Sequence, residues 1–243
     1  MKPFLLLATR ADDDVAAAEH AAVLRCGGLG EDELVRVRLE REPMPAIDVH
    51  AFSGIVVGGS PFCTSDPAER KTPTQVRVER ELSGLLDRVV EQDVPFLGAC
   101  YGVGTLGVHQ GGVVDRTYGE PIGAVPVTLT DAGRTDPLLD GLPQTFAAFV
   151  GHKEALTVPP PHAVVLARSA TCPVQAFRVR ENCYATQFHP ELDVDGVVQR
   201  VLAYRDEGYF APEEREQVLA GLRRSRVEVA HLVLRNFVDR YRR

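Results

Sequence analysis

Apolar residues in this chain fall into short dense runs separated by longer amphipathic stretches. Runs at Phe4–Ala8, Gly54–Val57, Val94–Leu97 and Val125–Leu129, then near Ala163–Ala167, Val174–Val179 and Tyr184–Phe188, read as strands. The second and third are short and branched, as strands covered on both faces must be. Helical periodicity lies between them, at residues 14–24 and at Gln75–Glu91, where Val76, Leu82, Leu85, Leu86 and Val89 mark an apolar stripe. Strands alternating with helices predict an α/β fold: a largely parallel central sheet flanked by helices. Pro121–Phe149, with its Gly and Pro turns, reads as a small antiparallel insertion.

Beyond Gly208 the pattern predicts two amphipathic helices, over 212–223 and 226–241, with Pro212 in a first turn where its missing N–H costs nothing. Val229, Leu232, Leu234, Phe237 and Tyr241 fall near one face of the second. The expected organisation is one α/β domain over 1–205 and a C-terminal helical extension over 206–243 packed on it. A helix that binds a partner, or a second copy in a homodimer, is the alternative.

Charge narrows the function classes. The 27 basic and 34 acidic residues give a net charge of −7, and only three of the basic residues are lysine. That balance argues against a nucleic-acid or anionic-membrane surface. No apolar run approaches the ~18 residues of a membrane span. The apolar stretch after Met1-Lys2 is too short for a secretory signal and is followed by Asp12-Asp13-Asp14, so a buried first strand and a cytoplasmic protein are expected. The cysteines, Cys26, Cys63, Cys100, Cys172 and Cys183, are odd in number and form no CxxC pair. No metal site and no cofactor is expected.

The strongest chemical signal is Val94–Gly107. An apolar strand runs into Gly98-x-Cys100-x-Gly102 and then a helix, the arrangement of a nucleophile elbow with cysteine at its tip. Small residues on either side let the flanking backbone pass, and a helix N-terminus favours thiolate. A buried core cysteine is the plain alternative. Gly102-Val-Gly-Thr-Leu-Gly107 also matches GxGxxG, but no acidic residue closes a second strand about 20 residues on, as a dinucleotide site requires. A cysteine nucleophile needs a base, and His189, in Thr186-Gln-Phe-His-Pro-Glu191, follows a strand directly. There it meets the same sheet edge as the elbow, with Glu191 placed to orient its ring. Gly54–Pro61 ends a strand in Gly58-Gly59. The N–H of Gly59, with that of Tyr101, would form an oxyanion hole.

Gly58-Gly-Ser-Pro61, Gly98-Ala-Cys-Tyr-Gly102 and Gln187-Phe-His-Pro-Glu191 resemble, in order and spacing, the three signatures of class I glutamine amidotransferases. The similarity covers roughly 1–205 and is nearest to the glutaminase domain of GMP synthase and its stand-alone relatives. Gly151-His-Lys-Glu154 resembles the family's His-x-Asp loop. The resemblance implies a flavodoxin-like α/β fold and a reaction in which Cys100 attacks the side-chain amide of glutamine. His189 then protonates departing ammonia, Glu191 orients it, and water hydrolyses the thioester. It also implies substrate contacts at Gly58, Gly104, Gly151, His152, Lys153 and Glu154. Many members carry glutamine where this chain has Gly104, and no Ser-Gly-Gly-x-Asp loop for adenylation is present. The expected activity is therefore ammonia release from glutamine, passed to a separate synthetase. The alternatives are a γ-glutamyl peptidase or hydrolase of the same fold and a non-catalytic binding member.

Overall fold

The computed structural model describes residues 2–204 and 212–243. Four strands, β1 (Phe4–Ala8), β3 (Ile55–Val57), β4 (Phe96–Ala99) and β11 (Cys183–Thr186), are buried along their whole length. They pair in parallel in the order β1-β3-β4-β11, and β2 (Leu34–Arg38) adds a parallel edge beside β1. Side chains alternate between two cores, Phe4 and Leu6 on one face, Leu5 and Leu7 on the other. That alternation is why the central runs are apolar throughout. The pattern left β2 unseen, because LVRVR exposes Val35 and turns Arg36 and Arg38 toward the loop and helix ahead of it.

One core lies beneath α1 (Asp13–Gly27) and α6 (Leu232–Tyr241), the other beneath α2 (Pro73–Glu91) and α3 (Tyr101–His109). Local chemistry sets the helix ends. Asp12 accepts from Val15 N at 2.9 Å and Gly28 turns left-handed at φ 64° to close α1; Thr72 accepts from Gln75 N at 3.1 Å to open α2. Val76 departs from the expected stripe. It is exposed because the buried row runs Val78, Leu82, Leu85, Leu86, Val89, and position 76 lies off that face.

The antiparallel region expected at 121–149 is present and belongs to the main sheet. After β11 come β10 (Ala176–Val179), β9 (Val164–Arg168), β6 (Glu120–Leu129) and β7 (Thr145–His152), each antiparallel to its neighbour. A separate two-stranded sheet joins β5 (Val113–Asp115) to β8 (Ala155–Val158).

Of the two C-terminal helices, α5 (Arg215–Arg224) packs with α4 (Val194–Ala203) on a third apolar cluster that includes Phe149. α6 starts later than the periodicity suggested. Its buried face is Val233, Leu234, Phe237, Val238 and Tyr241, and Val229 and Leu232 are only partly covered. Phe237 meets Phe4 of β1, ring centroids 6.0 Å apart. The expected boundary at 205/206 lies outside the described residues. Among the described residues no helix is long and apolar enough to cross a membrane.

Candidate active site

The carboxyl ends of β1, β3, β4 and β11 share one edge of the sheet, and from that edge project Arg10, Gly58-Gly59, Cys100 and Gln187–Glu191. Cys100 occupies the single residue between β4 and α3 at φ 54°, ψ −87°, a strained conformation for a side chain with a Cβ. Its neighbours impose that geometry: Cys100 N donates to Thr186 O at 2.7 Å, and Val103 N donates to Cys100 O at 2.9 Å. A Cβ at Gly98 would lie 2.6 Å from Gly102 Cα, so glycine at 98 is a requirement of the turn, whereas a Cβ on Gly102 would come no closer than 3.8 Å to Val57 O. Gly102, Gly104 and Gly107 lie inside α3, which leaves no glycine loop to cradle a dinucleotide phosphate.

His189 follows β11, anchored by its N–H to Phe149 O at 2.9 Å. Its Nδ1 lies 2.9 Å from Glu191 Oε1, and both residues are buried. Burial lowers the imidazole to about 4, Glu191 opposes the shift, and the Arg200 and Arg10 cations reinforce it. Burial would push the Glu191 carboxyl up, but His189 and Arg200 outweigh it and hold it well below its ordinary range. With the ring neutral near pH 7, Arg200 is the cation that keeps Glu191 ionised.

Burial raises the Cys100 thiol to about 12, against the pull of Arg10 and Arg200. Burial thus works against the pull of the helix N-terminus on the thiol, and a nucleophilic role for Cys100 would call for a base. With Nδ1 engaged by Glu191, His189 could act there through Nε2.

The other expected site residues divide. Gly59 lies against His189: a Cβ there would approach Cε1 to 2.8 Å. Tyr101 opens α3, where an amide N–H has no acceptor one turn back, and its ring packs edge-on to Phe62. A cavity of about 20 Å³ beside Cys100 is lined by Gly104, Gly151, His152, Lys153 and Glu154, together with Gln187. A Cβ on Gly104 would fall 2.5 Å from Thr64 Oγ1 and 3.1 Å from Glu154 Oε1. Glycine stands there because those groups fill the space. Glu154 accepts from Thr64 N and Ser65 N, each at 2.7 Å, and so pins the loop that closes the pocket. His152 lines the cavity with both ring nitrogens engaged, Nδ1 with Glu154 O and Nε2 with Glu120 Oε2, each at 2.8 Å. Glu120, His152 and Cys172 are the one group among the described residues whose donor atoms could converge on a metal ion, all within 4.8 Å. Hydrogen bonds from Gln175, Ser169 and Thr171 already occupy the Glu120 carboxylate.

Three residues at the site escaped the sequence reading, and a fourth, Gln187, was read only as part of its signature. Gln187, only 2% exposed, brings Nε2 to 3.9 Å from Cys100 Sγ. Arg10, Glu19 and Arg200 form a buried ionic chain that reaches Glu191 through Arg200. A charge just past a buried strand was the signal for Arg10. For Glu19 it was a position on the helix face of Val15, Ala16, Ala22 and Val23.

The family model for glutamine amidotransferase class-I matches residues 33–202. The chain belongs to that family. Among relatives of this amidotransferase, a subunit of glutamine-hydrolyzing GMP synthase from Methanoculleus marisnigri is 27% identical over 165 residues, 68% of this chain and 79% of that protein. The corresponding subunit from Pyrococcus abyssi is 33% identical over 151 residues, 61% and 72% of the two chains. The match to GMP synthase of Thermosipho africanus, 32% identical over 116 residues, spans 47% of this chain and 22% of that longer protein. A solved glutamine amidotransferase from Thermotoga maritima superposes with a TM-score of 0.77 at 20% identity, covering 99% of this chain and 98% of its own. At that identity the likeness supports the amidotransferase fold alone.

Proposed function

We propose that the chain is a cysteine-dependent glutamine amidotransferase that hydrolyses the side-chain amide of glutamine and releases ammonia to a separate synthetase. The observation that carries this reading is the strained Cys100 sharing a cavity of about 30 Å³ with His189, whose ring is held by Glu191. As Sγ bonds to the amide carbon, the thiol proton passes to His189 Nε2. The negative oxygen of the tetrahedral adduct turns toward the N–H groups of Gly59 and Tyr101. The C–N bond then breaks, the proton moves from His189 to the departing nitrogen, and ammonia leaves a thioester that water hydrolyses. In this reading the glutamyl group lies along Gly58, Gly104, Gly151, Lys153 and Glu154. His152 supports them from behind.

Relatives named as one subunit of GMP synthase support a synthetase on a separate chain. Five unpaired cysteines fit a reducing, cytoplasmic setting. Residues 1–205 form the amidotransferase unit in this reading, and 206–243 a docked helical extension.

A second reading, a γ-glutamyl hydrolase, is favoured by the aliphatic wall of the His189 cavity, formed by Ile122, Val150, Leu192, Val197 and Val201. Ammonia as leaving group has no need of such a wall. The test is a panel of L-glutamine and γ-glutamyl amides offered to the wild type and to Cys100→Ala, reading released ammonia or amine. Glutamine turnover lost in the variant supports the first reading, and turnover of the substituted amides alone supports the second. Substrate binding without turnover in either protein would make the chain a non-catalytic member.

A further inference from the structure

Three charged residues around the reacting set have no part in the steps just described. Arg10, Glu19 and Arg200 are 4%, 2% and 6% exposed. Arg200, on α4, lays its guanidinium across the base and its partner: Nη1 is 2.9 Å from His189 Nδ1, and Nη2 is 2.8 Å from Glu191 Oε1 and 3.3 Å from Glu19 Oε1. Arg10 Nε reaches the same Glu19 oxygen at 3.1 Å, and its Nη1 lies 3.4 Å from the Tyr204 hydroxyl. Two cations and two anions balance, so the cluster is neutral as a whole. The Gly58-Gly59 pair makes room for it: a Cβ on Gly58 would meet Glu19 Oε2 at 2.6 Å, and one on Gly59 would meet Arg10 Nη2 at 2.4 Å.

Packing alone does not account for the placement of Arg200. A ring nitrogen 2.9 Å from an ionised carboxylate oxygen carries a proton, because two lone pairs at that distance repel. The guanidinium therefore faces an N–H, where it opposes positive charge on the ring, while Glu191 favours that charge. The two act against each other at one atom.

We propose that Arg200 is a positioning residue for the base: a cation shared between His189 and Glu191, tied to α1 and β1 through Glu19 and Arg10, that limits how firmly the carboxylate can hold a protonated ring. The inference rests on the roles assigned above to Cys100, His189 and Glu191. A ring held less firmly gives up its proton more readily as the C–N bond breaks, and the adjacent cations favour the thiolate that must form first. The groups facing His189 are Glu191, Arg200 from α4, Arg10 from the end of β1 and Cys100 from the elbow. Glu19 of α1 stands behind the two arginines, and Tyr204 beside Arg10. Their influence on the ring runs in the expected sense, both arginines disfavouring its charged form.

The test uses the full chain as wild type, Arg200→Met, Arg200→Lys, Glu19→Gln, His189→Asn and Cys100→Ala. Two profiles are followed against pH: kcat/KM for L-glutamine, and the rate of Cys100 alkylation by iodoacetamide. In Arg200→Met the acid limb of kcat/KM should move to higher pH by about one unit, and the alkylation midpoint should rise as well. Its kcat should fall about tenfold or more. Arg200→Lys, which keeps the charge, should return both profiles toward wild type. Glu19→Gln leaves both arginines without their shared anion and should move the alkylation midpoint to lower pH, a sign that loss of packing does not produce. A folded Arg200→Met with lower kcat but wild-type profiles would overturn the proposal, as would an unmoved midpoint in Glu19→Gln. Undiminished turnover in His189→Asn or Cys100→Ala would defeat the roles beneath it. Inactive His189→Asn and Cys100→Ala beside a wild-type Arg200→Met would defeat only the role of Arg200.

Discussion

His189 and His152 each sit buried against a glutamate, Nδ1 2.9 Å from Glu191 in one case and Nε2 2.8 Å from Glu120 in the other. Each glutamate is held below its ordinary range. At Glu191 burial is outweighed by His189 and Arg200, and at Glu120 by hydrogen bonds from His152 and Thr171. Each cluster has a cysteine, Cys100 or Cys172, yet the two are built for different ends. The second nitrogen of His152 is taken by Glu154 O, and Cys172, fully buried in ordinary loop structure, points its thiol at Val174 O. His189 keeps Nε2 for a half-buried cysteine on a strained elbow, with two arginines alongside. A cysteine, a histidine and a glutamate in proximity do not make a reactive site. A free ring nitrogen, a cavity and a tuned charge do.

Breaking each cluster in turn should expose that difference. Cys100→Ala should remove γ-glutamyl hydrolysis to background, a loss of at least ~10³-fold, while Cys172→Ala keeps it within a few fold. A glutamine-like electrophile at neutral pH should label Cys100 ahead of Cys63 and Cys172, as peptide mapping will show. Next in size, His189→Ala should lower kcat by about 10²–10⁴-fold with little change in Tm. His152→Ala should do the reverse: Glu120 keeps Gln175, Ser169 and Thr171 but loses one buried partner, and Glu154 O loses its ring contact, at about 1–3 kcal/mol, read by denaturant unfolding.

Glu191→Gln should cost less activity than His189→Ala, because in the proposed mechanism Glu191 orients the ring and does not transfer the proton. Equal losses would contradict that division. On the pH axis, the buried neutral His189 stabilises the fold above its unfolded value near 6.5, and that stability is lost as pH falls toward about 4. Unfolding free energy should therefore fall between about pH 7 and about pH 4.5 in the wild type, and less steeply in His189→Asn. Gly104→Ala should cost about as much stability as His152→Ala, since its new methyl group would crowd Thr64 and Glu154 for about 1–3 kcal/mol, read by denaturant unfolding.

The elbow, the His-Pro-Glu turn and the central strands were legible because each is written within a few consecutive residues. Glycine precedes Cys100 at 98 since the turn closes back onto Gly102, and β1, β3 and β4 are apolar throughout since both faces are covered. Edge strand β2 was not legible, because only Leu34 of its five residues is buried and two of the others are arginines. Gly104 was legible as an anomaly only. Its neighbours, Thr64 and Glu154, are distant in the chain, and their approach is a fact of packing.

The order of residues alone carries the family, the alternation of strands and helices, and the three chain segments that supply Cys100, His189 and the Gly58-Gly59 turn. Those signals are local, set by backbone geometry and by burial of contiguous runs. It takes the folded molecule to link Arg10, Glu19 and Arg200 into a chain that ends on Glu191, and to spend His152 on Glu120. The same folding buries the Cys100 thiol and so pushes it up to about 12. Those outcomes depend on how charges from separate elements meet inside a region of low dielectric, where a few ångströms change the size of an interaction severalfold.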